Sequence, residues 1–208
     1  VYLFDKDSST ELWKKTVYGK VNEVSISADG EYITAATEAD RFYVYDKSGD
    51  LVWTYANHDF ILGEISADGK YAIGAESISS SKRIYYFSIG ECSDCTNHYL
   101  WYYQLPDSSD AISDVSISGN GDYVVATVLG SDSTDNKVLL FGRDSNTPLW
   151  TYNVSSYTTS VAISTDGNYI VAGSDNNSNS EFILFERDSS TPKWTYTSNG
   201  DVESVAIS

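Results

Sequence analysis

The chain has 208 residues and a formal charge of −17, from 30 acidic against 13 basic residues. Hydrophobic residues make up 41% of it, enough for a packed core in spite of the charge, which excludes wholesale disorder. The charge also excludes nucleic acid and anionic membrane surfaces as partners, since both need clustered Lys and Arg, and no apolar run reaches the roughly 20 residues of a membrane-spanning helix.

In chain order, residues 1–20 read as two strands, VYLFDKD (1–7) and the segment ELWKK (11–15). Residues 21–59 read as four. VSISADGEYITAA (24–36) holds a strand pair across Asp29-Gly30, and FYVYDKS (42–48) and LVWTY (51–55) supply the third and fourth. The same order returns in 60–111 (GEISADGKYAIGA, IYYFSIG, YLWYY), in 112–157 (VSISGNGDYVVAT, VLLFGRD, PLWTY) and in 158–201 (VAISTDGNYIVAG, FILFERD, PKWTY). Residues 202–208 (VESVAIS) repeat only the first strand. Within the motifs apolar residues alternate with period two, which is strand patterning, and helical periodicity is absent. The Asp-Gly or Asn-Gly between the first two strands is a tight-hairpin signal, because glycine takes positive φ without steric cost. In the last full unit the strands a to d are expected near 160–164, 168–173, 181–186 and 192–197.

The five tryptophans, at 13, 53, 101, 150 and 194, fall once per unit. Four strands every 40–50 residues describe a β-propeller blade, so the expectation is an all-β propeller with four complete blades and two partial ones. Each Trp lies on the outermost strand d and is expected to wedge between neighbouring blades. Both ends break inside a repeat and the chain has no initiator Met or signal peptide, so an arc of a larger propeller is favoured over a ring of five. An open arc would be prone to self-association.

The segment FERDSSTPKWTY (185–196) resembles the blade repeat of quinoprotein-like propellers. SVAISTDGNYIVAGS (160–174) resembles the strand pair of WD-repeat and YVTN-type surface-layer propellers. Two departures stand out: Pro148 and Pro192 replace the Gly expected before Trp, and no Trp-Asp dipeptide is present. The resemblance covers the whole chain. It implies a non-enzymatic binding or scaffolding module of a secreted or cell-surface protein, notably of archaeal type, with a protein or glycan partner. The alternative it implies is a quinoprotein-like or hydrolase-type enzyme with a site at the channel mouth.

Blade topology sends the short a–b and c–d turns to one face and the variable b–c and d–a loops to the other, where binding on a rigid scaffold is expected. The candidate ligand-binding residues are the b–c acids Glu38, Asp40, Glu76, Asp132, Asp135 and Asp175, joined by Asp59, Asp107, Asp110 and Asp201 of the d–a loops. A solvated acidic surface that keeps the protein soluble is the favoured account of them. No catalytic residue and no cofactor are expected. Loop 131–137 has Asp spacing that suggests calcium, but it lacks the central Gly and distal Glu of an EF-hand. Strand a is expected to line the channel with Glu23, Leu62, Asp114, Ser160 and Ser204. The recurring Ser27, Ser66, Ser118 and Ser164 are expected to cap the hairpin turns. Cys92 and Cys95 are read first as a disulfide, then as free thiols, then as metal ligands with His98, and four-ligand closure is lacking for the last. The sequons at Asn153 and Asn176 are placed in loops of the variable face.

Overall fold

The computed structural model describes residues 1–39, 41–76, 82–90, 98–132, 135–175 and 180–208. Every regular element among them is a strand. Tyr2–Phe4 (β1) and Glu11–Lys14 (β2) form a two-stranded sheet. Four antiparallel four-stranded sheets follow in simple up-and-down order. The first is Val21–Ile26 (β3), Tyr32–Thr37 (β4), Arg41–Asp46 (β5) and Leu51–Ala56 (β6). The second is Phe60–Ile65 (β7), Tyr71–Glu76 (β8), Arg83–Ser88 (β9) and Tyr99–Gln104 (β10). The third is Ala111–Ile117 (β11), Tyr123–Leu129 (β12), Asn136–Gly142 (β13) and Trp150–Val154 (β14). The fourth is Tyr157–Ile163 (β15), Tyr169–Asp175 (β16), Ser180–Glu186 (β17) and Trp194–Ser198 (β18). This is the β-propeller read from the repeats.

Residues 202–208 form no ladder, although their sequence repeats an inner strand. They lie beside β15, held by the Val205 N–H to Ser160 Oγ (3.3 Å) and the Thr159 hydroxyl to the Val202 carbonyl. Among the described residues no strand pairs with them, and a strand is defined by its partner. Asn153 lies near the end of β14 rather than in a loop. Asn176 is outside the described residues.

The core lies between sheets. Ile73, Ala75 and Tyr86 of the second sheet pack with Val115, Ala126 and Phe141 of the third, and equivalent clusters join the other neighbours. The middle strands are buried on both faces, so β4, β5, β8 and β12 read as near-continuous apolar runs.

The a–b turn differs from a two-residue Asp-Gly hairpin. Only the glycine takes positive φ, near 70° at Gly30, Gly69, Gly121 and Gly167, and the preceding Asp or Asn does not. The Gly30 N–H returns to the Ser27 carbonyl (2.9 Å), closing a four-residue turn. The Ser27 hydroxyl donates to Asp29 Oδ1 (2.6 Å) and accepts the Tyr32 N–H (3.1 Å). The same pair of bonds recurs at Ser66, Ser118 and Ser164. The recurring serines are thus turn caps, as their position suggested, and the Ser-Asx pair supplies the partners that a two-residue turn would not need.

Gly63 shows how closely the sheets pack. A Cβ there would lie 2.5 Å from Cε2 of Phe42, itself fully buried in the preceding sheet. Gly63→Ala is expected to lower stability by about 1–3 kcal/mol, the usual cost of overpacking, read as a lower midpoint in urea at unchanged slope.

Candidate functional site

Two regions can carry function: the axial channel and the loop face. The channel has a volume of about 610 Å³ and is walled by the inner strands β3, β7, β11 and β15 together with residues 204–207. An inner strand has a free edge, and each N–H on that edge needs an acceptor. The preceding sheet supplies one from a side chain. The Gly63 N–H donates to Glu23 Oε2 (2.5 Å), and the Ile65 N–H to Ser25 Oγ (3.3 Å). The Ile117 N–H donates to Glu64 Oε2 (3.0 Å), the Val161 N–H to Asp114 Oδ2 (2.8 Å), and the Val205 N–H to Ser160 Oγ.

Glu64 corrects the expected channel lining. Leu62 was placed on the wall at the repeat position of Glu23 and Asp114, but it packs into the core between the second and third sheets. The register shift between Phe60 and Leu62 is the one every inner strand shows at that position, so the difference lies in the residue: an apolar side chain there turns to the core. The carboxylate comes instead from Glu64, at the repeat position held by Ser25 and Ser116.

Burial pushes the Glu64 carboxyl up to about 7, with Glu23 and Asp114 adding repulsion, against the lowering effect of the Ile117 N–H and the Ser116 hydroxyl. Glu23 and Asp114 are also raised, again chiefly by burial. A raised carboxyl pKa ordinarily marks a candidate acid or base. Here each of the three carboxylates already accepts a backbone N–H, which is a structural task. Among the described residues no three His, Cys, Asp or Glu side chains are grouped to hold a metal ion.

On the loop face the candidate acids are dispersed over successive sheets. Glu38 is exposed and paired with Lys20 (2.9 Å). Asp132 is exposed, and Asp135 pairs with Lys137 (2.5 Å). Asp175 ends β16 and shares a hydrogen bond with Asp201, whose carboxyl is raised by that neighbour. Asp107 is exposed and turns back to its own Ser109, whereas Asp110 is buried and accepts the Ser131 N–H (3.2 Å). Asp40, Cys92 and Cys95 lie outside the described residues.

Glu76 is not displayed. It closes β8 at 1% exposure and binds Nδ1 of His58. His58 lies flat on Tyr55 (5.1 Å, 1°), and the Tyr85 hydroxyl is 3.2 Å from the same ring nitrogen. Sequence reading placed Glu76 in a loop because it is the first polar residue after the apolar run of β8. The arrangement pins the d–a loop to the end of the next sheet. His98 stacks on Trp53 (4.6 Å, 8°), and burial lowers its pKa.

The Glu64 environment gives a pH signature. Its proton is held in the folded chain up to about 7 but leaves the unfolded chain near 4.5, so folding retains a proton in that window and stability falls as pH rises through it. The contribution is absent below about 4.5 and complete above about 7. Glu64→Gln keeps an oxygen for the Ile117 N–H and removes the titration. Relative to wild type it is expected to gain about 2–3 kcal/mol between pH 4.5 and pH 8, measured by urea unfolding across that range.

Comparison with known proteins agrees with the fold. Residues 146–178 match the family model described as WD domain, G-beta repeat. Among solved structures the chain is similar to Kuenenia stuttgartiensis hydrazine synthase, with a TM-score of 0.71 and 16% identity, over 93% of this chain and 58% of that one. At that identity the likeness is one of fold alone, and this chain corresponds to little more than half of the other. No curated protein matches it. The repeat match within the third and fourth sheets and the structural likeness over nearly the whole chain both describe a β-propeller.

Proposed function

We propose that the chain is a non-enzymatic docking module of a secreted or cell-surface protein and that it offers its acidic loop face to a basic partner protein. The observation that carries this reading is the division of labour between the two ends of the sheets. At the turn end, Asp29, Asp68 and Asp166 are tied to serine hydroxyls and backbone N–H groups. At the loop end, Glu38 and Asp132 project from different sheets at exposed positions, and Asp135 is partly exposed. Loops that differ from blade to blade on a uniform frame suit recognition, and an acidic surface steers a basic partner toward it. The resemblance to WD-type repeats supports a protein partner, and the −17 charge fits an exposed, highly solvated setting.

The test separates loop acids from acids in general. Glu38, Asp132 and Asp135 are changed together to Lys in one variant; Asp144 and Asp188, exposed on the turn face, are changed to Lys in another. Binding of a lysine-rich peptide is followed at low and at physiological salt. The loop variant is expected to bind several-fold more weakly with a shallower salt dependence, and the turn-face variant to bind nearly as wild type. Equal loss in both variants would reduce the loop face to general acidity.

A further inference from the structure

A Tyr opens strand b in every four-stranded sheet, at 32, 71, 123 and 169. Where another four-stranded sheet follows, the ring lies against the glycine of its a–b turn. A Cβ added to Gly69, Gly121 or Gly167 would fall 3.1, 2.4 or 2.8 Å from the ring of Tyr32, Tyr71 or Tyr123. Two of these rings are covered by an arginine from the following sheet, Tyr71 by Arg143 (5.5 Å) and Tyr123 by Arg187 (4.9 Å). Acceptors in the arginine's own repeat hold each guanidinium in place. Arg143 has Asp122 (3.0 Å) and Asp144 (3.6 Å), and Arg187 has Asp188 (2.9 Å) and the Asn168 amide oxygen (3.2 Å). The backbone that carries the arginine is fixed as well. Its carbonyl accepts the indole N–H of the preceding sheet's Trp, from Trp101 (2.7 Å) and from Trp150 (2.6 Å).

Between the first and second sheets the backbone anchor is present and the cation is not. The Trp53 indole donates to the Ile89 carbonyl (3.4 Å), so Ile89 holds the repeat position of Arg143 and Arg187. Its side chain, 2% exposed, turns into the core with Trp53 and Phe87. The place of the guanidinium is an open crevice of about 300 Å³ lined by Tyr32, Asp68, Lys70, Tyr71, Ser88 and Gly90. Tyr32, Lys70 and Gly90 are the repeat counterparts of Tyr71, Asp122 and Asp144, the residues that surround Arg143. Asp68 supplies a carboxylate in their stead. Its Oδ1 serves the turn, accepting from the Ser66 hydroxyl (2.7 Å) and the Lys70 N–H (3.1 Å), and its Oδ2 faces the Lys70 ammonium at 3.4 Å. Among the described residues no cation lies over Tyr32, and residues 91–97, which follow Gly90, contain no Lys or Arg.

We propose that this crevice is an arginine-binding site at the turn end of the sheets, in which a guanidinium brought by a partner protein lies over Tyr32 and pairs with Asp68. The two neighbouring junctions show the occupant, since each holds that group on the same ring. A guanidinium suits the place better than an ammonium, because a planar, weakly hydrated cation stacks on a ring while its N–H groups reach a carboxylate at the edge. The occupant comes from outside because the chain's own cation at the crevice, Lys70, is drawn to Asp68 and not to the ring, on a side chain that is 71% exposed. The charge of −17 favours the approach of a basic protein. The site lies at the opposite end of the sheets from the acidic loops, so it stands whether or not the loop face binds anything.

The test titrates the 15N-labelled 208-residue chain with the tripeptide acetyl-Gly-Arg-Gly-amide and with its lysine and citrulline counterparts, and follows the backbone amide shifts. The arginine peptide is expected to move the signals of Gly69, Lys70 and Gly90 saturably, while Gly121 and Gly167, beside rings already covered, stay still. The lysine peptide should bind several-fold more weakly, and the citrulline peptide, neutral and of the same shape, should not bind. Asp68→Asn is expected to weaken the arginine peptide about tenfold without loss of the turn, since Asn120 makes the same turn bonds at that repeat position. Lys70→Ala frees Asp68 and should tighten the arginine peptide several-fold. Shifts that never saturate, equal binding of the citrulline peptide, or an Asp68→Asn variant that binds as wild type overturns the proposal.

Discussion

The structure depends on a single constraint: no sheet of this propeller can satisfy itself. An up-and-down four-stranded sheet pairs its middle strands fully but leaves the inner strand with an open edge and both faces apolar. Every sheet therefore needs its neighbour for two different things. It needs apolar area on its face, given by clusters such as Tyr86 with Phe141 and Trp101, and it needs acceptors for its inner edge. The second need is met by Glu23, Ser25, Glu64 and Asp114, each reaching one sheet forward, and Ser160 does the same for the segment 202–208. The turns join in, with the Ala28 N–H bound to the Ala67 carbonyl, Asp68 to Gly119 and Gly119 to Thr165, all at 2.9 Å. Junctions of this kind make stability additive along the array.

The acids of this chain accordingly fall into separate populations. Carboxylates in the turns hold backbone and are pulled below their usual range by their Ser partners, as at Asp29 and Asp166. Carboxylates on the channel hold the next sheet and are pushed upward by burial. On the loop face Glu38 and Asp135 pair with lysines, Asp175 and Asp201 with each other, and Glu76 and Asp110 with parts of the fold.

Much of this was legible in the sequence because it repeats. Trp once per unit, Ser-x-Asx-Gly at each hairpin and period-two alternation each recur four or five times, and repetition turns weak local signals into a strong one. What repetition hides is a change of residue type at a repeat position. Leu62 stands where Glu23 and Asp114 stand in other sheets, and being apolar it packs into the core, while Glu64 two residues on supplies the carboxylate. Glu76 failed for a related reason. A polar residue at the end of an apolar run looks like the start of a loop, and only the partner His58, 18 residues earlier and on the far side of a turn, shows that it is buried. The placement of Asn153 failed because an exposed outer strand is as polar as a loop.

The channel shows the limit of the acceptor device. Each carboxylate placed there satisfies an N–H well, because a charged acceptor makes the stronger bond, but the charges accumulate in a narrow space of low dielectric. Glu23 and Asp114 already raise Glu64, Asp114 raises Glu23, and burial carries Glu64 to about 7. At the next junction the acceptor is a hydroxyl, Ser160, although the repeat position is the one that holds Glu23 and Asp114. A fourth carboxylate would add repulsion against all three while gaining one hydrogen bond, whereas a serine gains the bond at no cost in charge. Mixing neutral and ionised acceptors along the inner strands limits the charge that an acidic chain gathers on its own axis, and it keeps the remaining negative charge at the rim of the sheets, where solvent screens it.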